Sequence, residues 1–177
     1  SIEGVKAVPF TPDMERVLMV WERGAWNSPG GAVDQGESKM DAMSRELLEE
    51  VDAEIDPDFR PIYLAGWQQS RARDNLINDN FSVFAVRLAS INFQVDGSEI
   101  QDARFFHWRS VLEAWRGLGM PDSDLSHEQC ADIPKGTTFN SQVLKWLDTY
   151  ERGRGLETRC REVKQGAETA AKLYIAM

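Results

Sequence analysis

The chain is short of several things. Of its 177 residues, two are cysteine and two are histidine. Cys130 and Cys160 stand in no CxxC and no Cys/His pattern. Two free thiols of a reducing compartment are therefore expected, with a single disulfide as the alternative. No apolar run approaches the length of a bilayer span. No secretory apolar segment opens the sequence either, so a soluble, cytoplasmic protein is the expectation. Positive charge is scarce: 20 Lys and Arg against 29 Asp and Glu leave a net charge of −9. That argues against a passive electrostatic grip on a DNA or RNA backbone. A phosphorylated ligand would have to be held by a cation or by a few placed arginines. Internal repeats and low-complexity tracts are absent as well.

What is present is the composition of one globular domain, 42% apolar and 28% charged, long enough to bury a core without staples. GVKAVPF and RVLMVWER are expected to be strands joined at TPDME, where Pro12 and Asp13 mark a turn. GAWNSPGGAV, dense in Gly and Pro, is expected to be a loop or a bent strand end. A helix is expected from Ser38 to Asp52, with Ser38 as N-cap and Asp41 in the acidic half of a shortened capping box. RPIYLAGWQQS and NFSVFAVRLA follow as strands around the polar loop RARDNLINDN. ARFFHW is a further strand and leads into a short helix at RSVLEAWRG. After a long loop, FNSQVLKWLDTYERG places Val143, Leu144, Leu147 and Tyr150 on one helical face, capped by Asn140. The tail from Leu156 is open between helix and strand. Hairpin strands with helices between them indicate an α+β or mixed α/β sandwich.

The predicted helix at 38–52 carries an unusual charge pattern. At about 100° per residue, Glu46, Glu49 and Glu50 share an arc of roughly 100°, next to the apolar arc of Met40, Leu47 and Val51 rather than opposite it. A helix so patterned buries one stripe and lines a cleft with the next. Hard divalent cations such as Mg2+ take carboxylate oxygens, keep waters, and are shared with substrate phosphates. A solvated acidic face is the alternative. Before the helix, Gly30 and Gly31 permit close approach of the backbone, and Arg45 can hold a neighbouring carboxylate in one rotamer.

Gly31, five residues, Glu37, seven residues, then Arg45-Glu46-Leu47-Leu48-Glu49-Glu50 resembles the Nudix box, with every charged position present and no insertion. Two positions depart from it: Asp52 stands where the box has its second Gly, and Ala53 where it has a bulky aliphatic residue. Asp tolerates the left-handed conformation better than most residues. Ala53 would thin the packing under the helix end unless Ile55 fills it.

The resemblance implies an α/β fold, the Nudix α/β/α sandwich with a mixed sheet, over residues 1–153. Residues 154–177 would be an extension packed on that domain or trailing it. It implies metal-dependent hydrolysis of a diphosphate linkage in a nucleoside diphosphate joined to another moiety, with Mg2+ or Mn2+ as cofactor. Glu46, Glu49 and Glu50 would be the metal ligands with the Gly30 carbonyl as a further one, and Glu37 and Arg45 their supports. The general base would be Glu46 or Glu99. Trp26 and Trp67 are candidates to stack on a nucleobase, with core packing as the alternative. Arg71 and Arg73 are candidates to reach a phosphate, with a solvated loop as the alternative. His107 is expected in the core or at its rim and His127 exposed; neither is expected to be catalytic. The partner implied is a small phosphorylated, nucleotide-derived substrate, with no membrane, with nucleic acid disfavoured, and with a homodimer left open. Nucleoside triphosphates, dinucleoside polyphosphates, inositol pyrophosphates, nucleotide sugars and capped RNA all stay open as substrates. A Nudix fold that binds a nucleotide or a protein without cutting is the rival, against which the complete set of box carboxylates speaks.

Overall fold

The computed structural model describes residues 2–70, 78–153, 158–165 and 169–176, with backbone alone for 67–70, 78 and the last two segments. The first two strands, β1 (Ile2–Phe10) and β2 (Arg16–Glu22), are joined as the sequence suggests. The Thr11 hydroxyl closes the turn, donating to Asp13 at 2.6 Å and accepting from the Arg16 N–H at 3.1 Å. They pair at Phe10↔Val17, and further along each takes other partners. β3 (Ala25–Asn27) pairs with β2, and β4 (Gly30–Ala32) lies antiparallel on Gly4–Lys6 of β1. The Gly/Pro-dense segment is therefore two short strands around Ser28 and Pro29. The other edge of β1 carries β6 (Asn78–Arg87), parallel along its whole length, and β5 (Ile62–Ser70) is antiparallel outside it. β7 (Asp102–His107) runs beside β2. Two-residue strands β8 (Leu125–Ser126) and β9 (Thr138–Phe139) lie within the long loop. Parallel and antiparallel pairs thus meet in one mixed sheet.

Both faces of this sheet are covered, which is why β1 and β2 carry nearly continuous buried apolar runs. Val5, Ala7, Leu18 and Val20 pack with Ala42, Met43, Leu47 and Val51 of α1 (Lys39–Val51). On the opposite face Val8, Phe10, Val17 and Met19 pack with α2 (Trp108–Gly117) and α3 (Ser141–Gly153). This is the expected α/β/α sandwich. Val143, Leu144, Leu147 and Tyr150 are buried together, and Asn140 Oδ1 accepts from the Gln142 N–H at the start of α3. Residues 158–165 and 169–176 form an antiparallel hairpin, β10 and β11, so the tail takes the strand alternative.

The ends of α1 explain its bounds. Ser38 Oγ accepts from the Asp41 N–H at 3.0 Å and donates to the Asp41 carboxylate at 2.7 Å. At the other end Asp52 adopts φ 50°, ψ 40°. There the Asp52 N–H reaches Leu48 O at 3.1 Å and the Ala53 N–H reaches Leu47 O at 3.2 Å, so two carbonyls of the last turn are closed off around a left-handed residue. Asp stands in the left-handed position and the helix still stops on time. Ala53 is buried, and Ile55 packs against the same cluster beneath it.

Candidate functional site

Helix α1 delivers its acids to the glycine strand β4. Glu46 and Glu50 are buried, whereas the Glu49 side chain remains 54% exposed. Glu50 Oε2 accepts from the Gly30 N–H at 3.2 Å. Glu46 lies so close under Gly31 that a Cβ there would collide with its carboxylate, and a Cβ on Gly30 would strike β1 at Val5 and Lys6. Gly30 is required by the β1 backbone, whereas a side chain at Gly31 would have to displace the Glu46 carboxylate.

Arg45 ties the acids together. Its Nε and Nη2 donate to the two Glu37 oxygens at 2.9 and 3.1 Å. Nη1 donates to Glu46 Oε1 at 2.9 Å and to Glu49 Oε2 at 3.2 Å, and Nη2 also reaches Ala32 O at 2.9 Å. One planar guanidinium, a fork well matched to carboxylates, thus joins the loop before α1 to two turns of the helix. Arg45 and the Asp34 N–H hold Glu37 below the usual carboxylate range. Around Arg45 the structure brings together Glu37, Glu46 and Glu49, with Glu50 on the adjoining side by Gly30.

The buried acids are pushed the other way. Desolvation raises the Glu46 pKa, against the pull of Arg45, and the charges of Glu49 and Glu99 raise it further. Glu99 itself is exposed on the loop ahead of β7. Desolvation pushes Glu50 up to about 7, opposed by the Lys6 charge and the Gly30 N–H and assisted by Glu46 and Glu22. Two desolvated carboxylates that resist ionisation favour an added positive charge, and their hard oxygen donors suit a divalent cation. Among the described residues, no three Asp, Glu, His or Cys side chains are arranged so that together they could hold a metal ion. Glu49 is drawn to Arg45 instead. A Mg2+ ion is commonly held by one or two carboxylates plus water and phosphate oxygens, so the buried pair and the adjacent backbone fit that demand.

Against β4 opens a cavity of about 660 Å3, lined by Lys6, Glu22, Arg23 and Gly30–Ala32 near the acids and by Asp79, Phe81, Asn140, Gln142 and Trp146 further along. This volume suits a nucleotide-sized ligand. Trp26 does not reach it; its ring packs edge-on against Trp21 and Phe106 in the core. The side chain of Trp67 and the whole of Arg71 and Arg73 lie outside the described residues, as does the side chain of Cys160. His107 is exposed just ahead of α2. His127 is half-buried rather than exposed, and its Nδ1 is 2.9 Å from the Ile133 carbonyl.

Apart from Gly30 and Gly31, the residues of the cavity wall were not among the site residues expected from the sequence. Lys6 carried a usable signal, since it is the one charged side chain in the buried run Gly4–Phe10. Asp79, Phe81, Asn140 and Trp146 carried none, because strand register and helix packing bring them together.

The family model of the NUDIX domain matches residues 2–128. The chain belongs to the NUDIX family. An RNA pyrophosphohydrolase of Helicobacter pylori is 42% identical over 53 residues, covering 27% of this chain and 34% of that protein. The chain thus spans about a third of the length of the curated relatives it matches. The fold agrees with a MutT NUDIX hydrolase of Burkholderia pseudomallei at TM-score 0.54 and 19% identity, over 81% of this chain and 95% of that one. A described Nudix family member from Chromobacterium violaceum matches at TM-score 0.53 and 18% identity, over 89% of this chain and 81% of that one. Among the described residues, no helix is long and apolar enough to cross a membrane.

Proposed function

We propose that this chain hydrolyses a diphosphate linkage in a nucleoside diphosphate joined to another moiety, with a divalent cation, Mg2+ or Mn2+, as cofactor. The observation that carries this reading is the burial of Glu46 and Glu50 against Gly30 and Gly31, beside a cavity of nucleotide size. Glu46, Glu50 and Glu49, with the Gly30 carbonyl, would hold the cation. When bound, it supplies neutralisation of diphosphate charge and a more acidic water. The protein does the rest. Arg45 fixes Glu46 and Glu49 while Glu37 fixes Arg45. Glu46, raised in proton affinity by burial, is suited to accept the proton of the attacking water, and Glu99, whose charge acts on Glu46, is the alternative base.

The test is product identification by mass after incubation with nucleoside triphosphates, dinucleoside polyphosphates, nucleotide sugars, ADP-ribose and capped RNA, with and without Mg2+ or Mn2+. Cleavage within a diphosphate linkage, only with metal, is expected. Glu49→Gln and Glu50→Gln should each abolish it while circular dichroism stays unchanged, since each removes charge at nearly constant shape. Full activity in both variants would remove the proposed ligand set. Binding without cleavage of any member would replace the enzyme by a binding module.

A further inference from the structure

Lys6 stands at the junction between the cavity and the acids, on the strand pair that also carries Gly30. The two residues are register partners across β1 and β4. Lys6 lies on the β1 face shared with Val8 and Phe10, which is the α2/α3 face, whereas α1 and its carboxylates cover the other. A ligand reaching from the cavity across the β4 glycines towards Glu46 and Glu50 therefore passes the Lys6 ammonium. That ammonium donates to Ser28 O at 3.3 Å and makes no ion pair among the described residues. An ammonium has three N–H donors, and Lys6 is among the residues lining the cavity. The Glu50 charge offsets part of the desolvation cost of this half-buried cation, and the single long hydrogen bond leaves donors free for a ligand.

A second observation lies beside it. Ser28 is among the residues lining the same cavity, and its hydroxyl is buried with no hydrogen-bond partner. A buried hydroxyl without a partner is uncommon in a folded protein and calls for an explanation at its own site. An ammonium with unused donors and an adjacent hydroxyl make the complement of a phosphate oxygen. Arg23 and Glu22 line the cavity at the same end as Lys6, and Asp79 and Asp124 line it further along.

We infer that Lys6 and Ser28 form a subsite that holds a phosphate oxygen of the substrate from the side of the sheet opposite α1. The subsite rests on the hydrolase reading for its role in turnover, but binding of an inorganic diphosphate reads it directly. Calorimetry with inorganic pyrophosphate and Mg2+ on the full chain should give an affinity at least about tenfold weaker in Lys6→Gln than in the wild type. Lys6→Arg should stay within about threefold, and Ser28→Ala should lose a smaller factor. With any substrate found to be cleaved, Lys6→Gln should raise KM more than it lowers kcat, and Lys6→Arg should recover most of the loss. A lysine serving only as support for the strand would move the thermal midpoint instead. Equal pyrophosphate affinity in wild type and Lys6→Gln, or no binding to the wild type, overturns the subsite. Lys6-dependent pyrophosphate binding in a protein that cleaves nothing would support the subsite and sink the hydrolase reading alone. Should Lys6→Gln fail to fold, Lys6→Met carries the same comparison.

Discussion

A methyl group on Gly31 would land on the Glu46 carboxylate, whereas one on Gly117 would meet nothing within 4 Å. Neither residue has positive φ, so the two alanine substitutions differ in steric consequence and little else. Gly31→Ala should displace Glu46 or β4 at a cost of about 1–3 kcal/mol, the usual range for overpacking, and should lower hydrolysis at least about tenfold. Gly117→Ala should leave both unchanged or raise stability slightly, since Ala is the better helix former. Thermal melts and initial rates on the pair check this. Equal activity in both variants would mean that the Glu46 position is not used. At this scale the shared arc of Glu46, Glu49 and Glu50 could be read from the sequence because a helix converts spacing into direction, whereas Glu37, which precedes the helix, was pointed to only by the resemblance to the Nudix box. Trp26 misled because an aromatic residue beside a Gly/Pro turn looks the same in sequence whether it faces a ligand or, as here, Phe106.

Asp52 shows what an element requires of one residue. It holds a left-handed conformation that costs L-residues about 1–2 kcal/mol, and it places a negative charge at the negative end of the helix dipole. Asp52→Gly relieves both, and the gain is offset in part by the larger unfolded-state entropy of glycine. A net stabilisation of about 0.5–1 kcal/mol is expected, seen as a raised urea midpoint with unchanged m, and hydrolysis should not change. A lowered midpoint would show that the Asp52 side chain has a stabilising role. The same helix illustrates what sequence can convey about elements. Its cap, length and end follow from neighbours within a few residues, so they could be read in advance. The splay of β1 from β2, which admits β4 and fixes Gly30 opposite Lys6, depends on partners far along the chain. For the same reason the cavity wall was invisible.

At the scale of the whole molecule, the buried acids beside β4 oppose the fold when no cation accompanies them. The Glu50 pKa stands at about 7 in the folded chain, against 4.5 as its ordinary value. Between these values the folded state binds more protons than the unfolded one, so stability falls as pH rises through that window. The loss is at most about 3.5 kcal/mol, from roughly 1.4 kcal/mol per unit of pKa, and Glu46 adds to it in the same direction. Asp13, Glu37, Asp56 and Asp122 have lowered values. They contribute stability that is present above pH 4 to 4.5 as an approximate bound and is lost as pH falls through their folded values. Metal-free protein should therefore be most stable at about pH 5, by the opposition of these two groups, and measurably weaker at pH 8. Glu50→Gln removes the charge and with it most of the decline, so its melting temperature should exceed the wild type at pH 8 and match it at pH 5. Added Mg2+ should stabilise the wild type most at pH 8, where Glu50 is ionised and binding requires no proton release. In Glu50→Gln that stabilisation should shrink. Melting curves across pH, with chelator and with Mg2+, separate the terms. A wild type equally stable at pH 5 and pH 8 without metal would mean that Glu50 ionises without penalty.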